Sequence, residues 1–321
     1  MHIAFCLDDN YVPYCAGVIA SVIDNNKDED IIFHLFGDGL SQGNTNKLTT
    51  WINSFENVSL RTYAISKDDF KDFPIGDAYV NISTYFRLVI PALLGGLEKV
   101  IYLDCDVVVN GSLKELWNTD VSEYAVAGVR DRINDYVRVY NRLGYHMQEG
   151  YLNAGVLLIN LNRWREDDIF EKAISIARKM PKQLKNHDQD IINLVYHDSK
   201  LFLDFKYNLL EYYMYTEDWL YMDKKYYPQI EKACQDPVIV HFCMPQKPWH
   251  YECINPYQET FLKYMRMTPW ADLPLTHKIQ KLSKKEKLKL LLEKLGLYKV
   301  ERKSTLRKDV ERIEDANNIL F

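Results

Sequence analysis

The run VIYLDCDVVV, residues 100–109, constrains this chain more than any other stretch. It is apolar and β-branched enough for a buried strand, yet Asp104 and Asp106 stand at its centre. Ionised carboxylates are costly to bury unless something pairs with them. In an extended chain, residues two apart point to the same side, so both carboxylates can converge on one point just past a strand. Two arrangements relieve their repulsion. A divalent cation such as Mg²⁺ or Mn²⁺, which favours hard oxygen ligands, can sit between them. Alternatively, one Asp caps a turn and the other forms a salt bridge.

The surrounding pattern supplies the frame. HIAFCL (2–7), IIFHLFG (31–37), VSLRTYAI (58–65), residues 99–104, AVAGV (125–129) and AGVLLINL (154–161) read as strands. Between them, residues 14–25, 44–55, about 83–93 and 169–180 read as helices. Such alternation predicts an α/β fold with a mostly parallel sheet covered by helices. Open sheets of that kind bind ligands beyond the carboxyl ends of their strands, where Asp8 and Asp104 fall. No GxGxxG or GxxxxGK[ST] follows a strand, which excludes a dinucleotide fingerprint and a P-loop.

Three further stretches carry polar chemistry. HFCMPQKPWH (241–250) offers an imidazole and an ammonium: His241 as a third metal ligand, Lys247 as a point charge for phosphate. Read alone, His241 is more readily a core histidine after the strand PVIV, and Lys247 a solvated loop charge. NHDQDIIN (186–193) sets Asp188, Gln189 and Asp190 in a row before an apolar helix, with one expected as its cap and their oxygens suited to sugar hydroxyls. YLNAGVLLIN (151–160) puts Asn153 where a strand begins, beside Ala154 and Gly155, which permit close approach. Two chemistries share the DxD: a haloacid-dehalogenase-type phosphatase, whose motif normally lies nearer the N-terminus, and sugar transfer from a nucleotide sugar, where the metal neutralises the departing diphosphate.

The chain is 47% hydrophobic over 321 residues, an ordinary globular composition. No run approaches the roughly 18 apolar residues of a membrane helix. The opening MHIAFCLDDNYVPY has no basic region, so no secretory signal is expected. The six cysteines form no CxxC pair and read as buried thiols of a reducing compartment. Net charge is −5 overall, with 13 Lys/Arg against 5 Asp/Glu from His277 to Arg312. An acidic body argues against nucleic acid as a partner, and a basic tail suits an anionic surface. In that tail Ser283 and Glu286 fit a capping box, Leu288, Leu291, Leu292 and Leu295 follow helical spacing, and Gly296 marks a stop.

Six stretches in order, AFCLDDNYVPY, STYFRLVIP, VIYLDCDVVV, GYLNAGVLLINLNRWR, HDQDIIN and HFCMPQKPWH, resemble glycosyltransferase family 8, and most nearly its bacterial lipooligosaccharide galactosyltransferases and glucosyltransferases. The resemblance covers roughly residues 1–270. It implies a Rossmann-like glycosyltransferase A-type fold, with residues 1–275 as the catalytic domain and 276–321 as a basic helical tail. It implies a UDP site at Cys6, Asp8, Asn10, Tyr11 and Cys105, with the Tyr11 ring on uracil, and Mn²⁺ (or Mg²⁺) on Asp104, Asp106 and His241. Lys247 matches a phosphate contact. Arg87, Asn153, Asp188 and Gln189 match the donor-sugar pocket, and Asp131 an acceptor-side carboxylate; Gln189, Asp188 and Asp131 are the catalytic candidates. The implied reaction is retaining transfer from a UDP-hexose, galactose ahead of glucose, to an oligosaccharide or lipid-linked glycan. The implied location is the cytosolic face of the inner membrane, touched through residues 277–312. One departure stands out: Met244 replaces a glycine that touches the diphosphate through its backbone, and its Cβ would crowd the phosphate or shift the loop. A nucleotide-sugar-binding protein without turnover is the reading outside enzymology.

Overall fold

The computed structural model describes residues 1–75, 81–215 and 222–277; the expected helix from Ser283 lies outside them. The elements follow in order: β1 (His2–Asp8), α1 (Val12–Asn25), β2 (Ile31–Asp38), α2 (Gln42–Ile52), β3 (Val58–Ala64), a 3₁₀ segment Ile82–Val89 leading into α3 (Ile90–Leu93), β4 (Lys99–Leu103), β5 (Val107–Val109), α4 (Lys114–Asn118), β6 (Val126–Arg130), α5 (Val137–Leu143), β7 (Leu152–Asn160), α6 (Leu161–Glu166), α7 (Ile169–Lys179), α8 (His187–Val195), β8 (Lys200–Phe202), β9 (Leu209–Leu210), α9 (Tyr227–Gln235), β10 (Ile239–His241) and α10 (Gln258–Met265). The stretch expected as one helix over 83–93 is therefore mostly 3₁₀.

The main sheet has seven strands in the order β3-β2-β1-β4-β7-β6-β8. Every pairing is parallel except those of β7, which runs against both β4 and β6. Except along the edge strand β3, both faces are largely buried. Along β1, Ile3, Phe5 and Leu7 pack into one apolar layer with α1 and α10, while Ala4 and Cys6 face a second layer built on the 3₁₀ segment, α6, α7 and α8. Side chains alternate between the faces of a strand, so a strand covered on both sides is apolar throughout.

The run 100–109 is not one strand. It leaves the main sheet after Leu103 and re-enters pairing at Val107 in a separate three-stranded sheet, β5-β10-β9. Its two carboxylates occupy the crossing between sheets, which reconciles a core-like run with two charged groups.

The reversal of β7 positions the site. Because β7 is antiparallel to β4, its first residues lie beside the carboxyl end of β4: Leu103 pairs with Val156, and the Asp104 N–H donates to the Gly155 carbonyl at 2.8 Å. Strand β6, antiparallel to β7, then ends on the same edge at Arg130, with Asp131 just beyond. In the small sheet His241 pairs with Val107 and with Leu210, so it sits next to Asp106 on one side and to the end of β9 on the other.

Candidate active site

A two-lobed cleft opens at this edge. The first lobe, about 230 Å³, includes Cys6, Tyr11, Asn81, Tyr102, Cys105 and Lys247 in its lining. The second, about 380 Å³, is lined by Asp131, Asn153, Asp188, Gln189, His241 and Tyr212 among others. Arg87, Asp104 and Asp106 line both. Asp8 ends β1 beside the cleft, where it accepts the Asn10 N–H at 2.9 Å and the side-chain amide of Asn81. Asn10 is exposed.

Carboxylate oxygens of Asp104 and Asp106 and a ring nitrogen of His241 all lie within 4.8 Å of one another, so these three residues could hold a metal ion. Their outer atoms are already committed. Asp104 Oδ1 accepts from Tyr102 Oη at 2.7 Å and from Arg87 Nη2 at 3.0 Å. Asp106 Oδ2 accepts from Lys247 Nζ at 2.5 Å. His241 Nδ1 meets Asn208 Oδ1 at 3.1 Å. What remains is Asp104 Oδ2, Asp106 Oδ1 and His241 Nε2, with the nitrogen 3.9 and 3.4 Å from the two oxygens. Two hard oxygens and one imidazole, each oriented by a partner on its far side, fit a divalent cation that keeps further positions for phosphate or water. Burial alone would raise the Asp106 carboxyl, but Lys247 and His241 outweigh it and hold it below the usual range.

Gly155 makes this convergence sterically feasible. A Cβ there would lie 2.2 Å from His241 Cε1 and 2.8 Å from Asp104 Oδ2.

Arg87 is 3% exposed and braces both lobes. Its Nε lies 3.0 Å from Asp188 Oδ2, its Nη1 donates to the Ala154 carbonyl, and its guanidinium rests 4.1 Å from the centre of the Tyr102 ring. Asp188 also accepts from the Thr84 hydroxyl. Burial pushes the Asp188 carboxyl up, and Arg87 and Thr84 pull it back. Gln189 Oε1 accepts the Ala154 N–H at 3.0 Å, and Gln189 Nε2 donates to Asp131 Oδ2 at 3.2 Å.

None of Asp188, Gln189 and Asp190 caps α8. Asn186 occupies that position, and His187 begins the helix at φ +51°, a conformation histidine tolerates better than bulkier residues. Asp190 is also unavailable to a sugar. It is 0% exposed, with Arg142 Nη1 and Nη2 at 2.5 and 3.0 Å, the Tyr151 hydroxyl at 2.7 Å and the Asn186 N–H at 2.8 Å. It fastens the start of α8, and so Asp188 and Gln189, to α5 and to Tyr151 just ahead of β7. Breaking a buried pair on one side strands the other charge, so Asp190→Asn should destabilise the fold by about 3–5 kcal/mol. A urea midpoint close to the parent's would contradict this.

Of the tyrosines clustered at 212, 213 and 215, only Tyr212 lines the cleft, with the Arg132 guanidinium 3.7 Å over its ring. Tyr213 is buried with its hydroxyl on the Arg130 carbonyl, and Tyr215 bonds Glu211. Tyr11 is pushed up to about 12 by burial and by Asp106, so it stays a neutral ring. None of the six cysteines is in a disulfide. Met244 is half-buried, lies outside both lobes' linings and does not have positive φ, so the loop accepts its Cβ without strain. Lys247 packs against Asp106 instead of standing free in the loop.

Sequence reasoning missed Asn208, Gly155's contact with His241, and Tyr102. Asn208 sits in FKYNLL, where nothing in the local pattern marks it. Among the described residues no helix is long and apolar enough to cross a membrane.

Comparison with known proteins agrees with this geometry. The chain is 32% identical over 260 residues to a putative glycosyltransferase of Haemophilus influenzae, covering 79% of this chain and 74% of that one. It is 29% identical to a lipopolysaccharide 1,2-glucosyltransferase of Escherichia coli, over 91% of this chain and 85% of that one. Among solved structures, the galactosyltransferase LgtC in complex with donor and acceptor sugar analogues superposes with a TM-score of 0.75 at 29% identity, covering 84% of this chain and 96% of that one. The two share the glycosyltransferase A-type fold. A family model for glycosyl transferase family 8 matches residues 2–253, and the chain belongs to that family.

Proposed function

We propose that this glycosyltransferase moves a hexose from a UDP-hexose to a glycan acceptor with retention of anomeric configuration, with UDP-galactose ahead of UDP-glucose as donor. The observation that carries the reading is the convergence of Asp104 Oδ2, Asp106 Oδ1 and His241 Nε2 between a lobe with an aromatic wall and a lobe rich in hydrogen-bonding groups. Tyr11 would stack on the uracil, with Asp8, Asn10 and the backbone around Cys6 and Cys105 holding base and ribose. Bound at the triad, Mn²⁺ or Mg²⁺ would stabilise negative charge on the diphosphate as it leaves. Lys247 already gives two N–H groups to Asp106 and Phe242, leaving the third for a phosphate oxygen. Arg87, Asn153 and Asp188 would orient the sugar.

Gln189 bears on stereochemistry. Its amide oxygen accepts a backbone N–H and its nitrogen donates to Asp131, so it is held as a binding group. An amide oxygen is a weak nucleophile, and one already engaged is weaker. This favours attack by the acceptor hydroxyl on the face UDP leaves, with the departing phosphate taking the proton; Asp131 would contact the acceptor.

The Escherichia coli relative acts on lipopolysaccharide by name, which supports a lipopolysaccharide or lipooligosaccharide core as acceptor. The basic run 277–312 would then hold the enzyme against the anionic cytosolic face of the inner membrane, each basic residue contributing about 1 kcal/mol. The direct test is a panel of UDP-sugars with Mn²⁺, with Mg²⁺ and with EDTA, following UDP release and product anomer by NMR. The expected result is cation-dependent turnover of a UDP-hexose with retention. Equal turnover in EDTA, or an inverted product, would refute it.

A further inference from the structure

We infer that Asn208 is a positioning residue that couples the cation triad to the sugar lobe. This rests on the reading of Asp104, Asp106 and His241 as a divalent-cation site. Asn208 is 0% exposed and lies between His241 and Asn153.

The orientation of every group in this chain follows from one backbone donor. The Gly155 N–H can only donate, and it meets Asn153 Oδ1 at 2.9 Å. The Asn153 nitrogen therefore faces Asp131 Oδ2, an acceptor, at 2.9 Å. Asn208 reaches the same Asn153 oxygen at 2.9 Å, so it must present its nitrogen there. Its oxygen then faces His241 Nδ1 at 3.1 Å, and that nitrogen must carry the hydrogen. In the neutral ring the His241 lone pair is thereby assigned to Nε2, the ring nitrogen that faces Asp106 Oδ1 and Asp104 Oδ2. At the other end, Asp131 Oδ2 accepts Gln189 Nε2, and Gln189 Oε1 returns to the Ala154 N–H.

Asn208 thus does two separable things. As acceptor it selects the ring tautomer that can bind a cation; as donor it pins Asn153, which holds Asp131. A ligating histidine oriented by a hydrogen bond on its other nitrogen loses about 10–100-fold in metal affinity when that partner is removed.

The experiment compares Asn208→Asp and Asn208→Leu in the full-length chain. Mn²⁺ binding in the presence of UDP is read by calorimetry, and KM and kcat with UDP-hexose by UDP release. Asn208→Asp keeps the acceptor toward His241 and loses the donor toward Asn153. It should bind Mn²⁺ and UDP as the parent does while its KM for UDP-hexose rises. Asn208→Leu loses both bonds and should bind Mn²⁺ about 10–100-fold more weakly. If Asn208→Leu does not fold, Asn208→Asp decides the matter alone: loss of Mn²⁺ binding, or an unchanged KM, overturns the assignment. Equal loss of Mn²⁺ affinity in both variants, or none in either, also overturns it. A parent protein that binds no Mn²⁺ refutes the cation site itself, and the assignment with it.

Discussion

Asp104→Asn and Asp106→Asn are each expected to lower sugar transfer at least about a thousandfold, the scale on which removing a group that stabilises transition-state charge is felt, while the protein still folds. Asparagine keeps the shape of the side chain. An amide oxygen at position 104 can still accept from Tyr102 and Arg87, and one at 106 can still accept from Lys247, so the local hydrogen bonds survive. What is lost is one negative charge at the point where Asp104 Oδ2, Asp106 Oδ1 and His241 Nε2 meet. The two variants are not equivalent. At 104 the buried Arg87 keeps a second carboxylate in Asp188, whereas at 106 no second carboxylate is seen on Lys247 among the described residues. Asp106→Asn should therefore be the less stable of the two. The measurement is UDP release with saturating Mn²⁺, alongside a thermal melt. A near-parental rate in either variant would remove the triad from the reaction.

Gly155→Ala should be nearly as damaging, though it alters no charge. The added methyl would sit 2.2 Å from His241 Cε1 and 2.8 Å from Asp104 Oδ2, inside any tolerable contact. Neither neighbour can step aside cheaply. His241 belongs to β10 and is bonded to Asn208; Asp104 is bonded to Arg87 and Tyr102 and its N–H to the Gly155 carbonyl. Overpacking of this kind costs about 1–3 kcal/mol of stability. Displacing two of three candidate ligands should cost more in function, with Mn²⁺ affinity falling by at least about 10–100-fold. Parental Mn²⁺ binding by a folded Gly155→Ala protein would show that the triad tolerates separation and that the cation is held elsewhere.

These two sites differ in how visible they were beforehand. A DxD interrupting an apolar run announces itself, because two charges in core-like sequence demand a partner. His241 and Lys247 lie in one short stretch with a plausible chemistry. Gly155 reads in the sequence only as a small residue permitting approach, not as the space His241 fills. Asp190 read like its neighbours Asp188 and Gln189, since three polar residues in a row at a helix start carry no mark of which will point inward; Arg142, which claims it, lies in α5. Asn208 was not legible, because its importance comes from the register of β9 against β10 and from Asn153 on β7.

The sequence by itself determined the alternation of strands and helices, the carboxylates at strand ends and the family motifs, because periodicity, turn chemistry and short motifs are local. Only the tertiary structure decided that the run 100–109 divides between two sheets and that β7 runs backwards. A strand shows its neighbours the same two-residue alternation in either direction, so its own residues do not state which way it lies. Had β7 run parallel to β4, Asn153 and Gly155 would stand toward the opposite edge of the sheet, away from Asp104. Long-range pairing, which no single segment encodes, places Asn153, Gly155, His241 and Asn208 around one point.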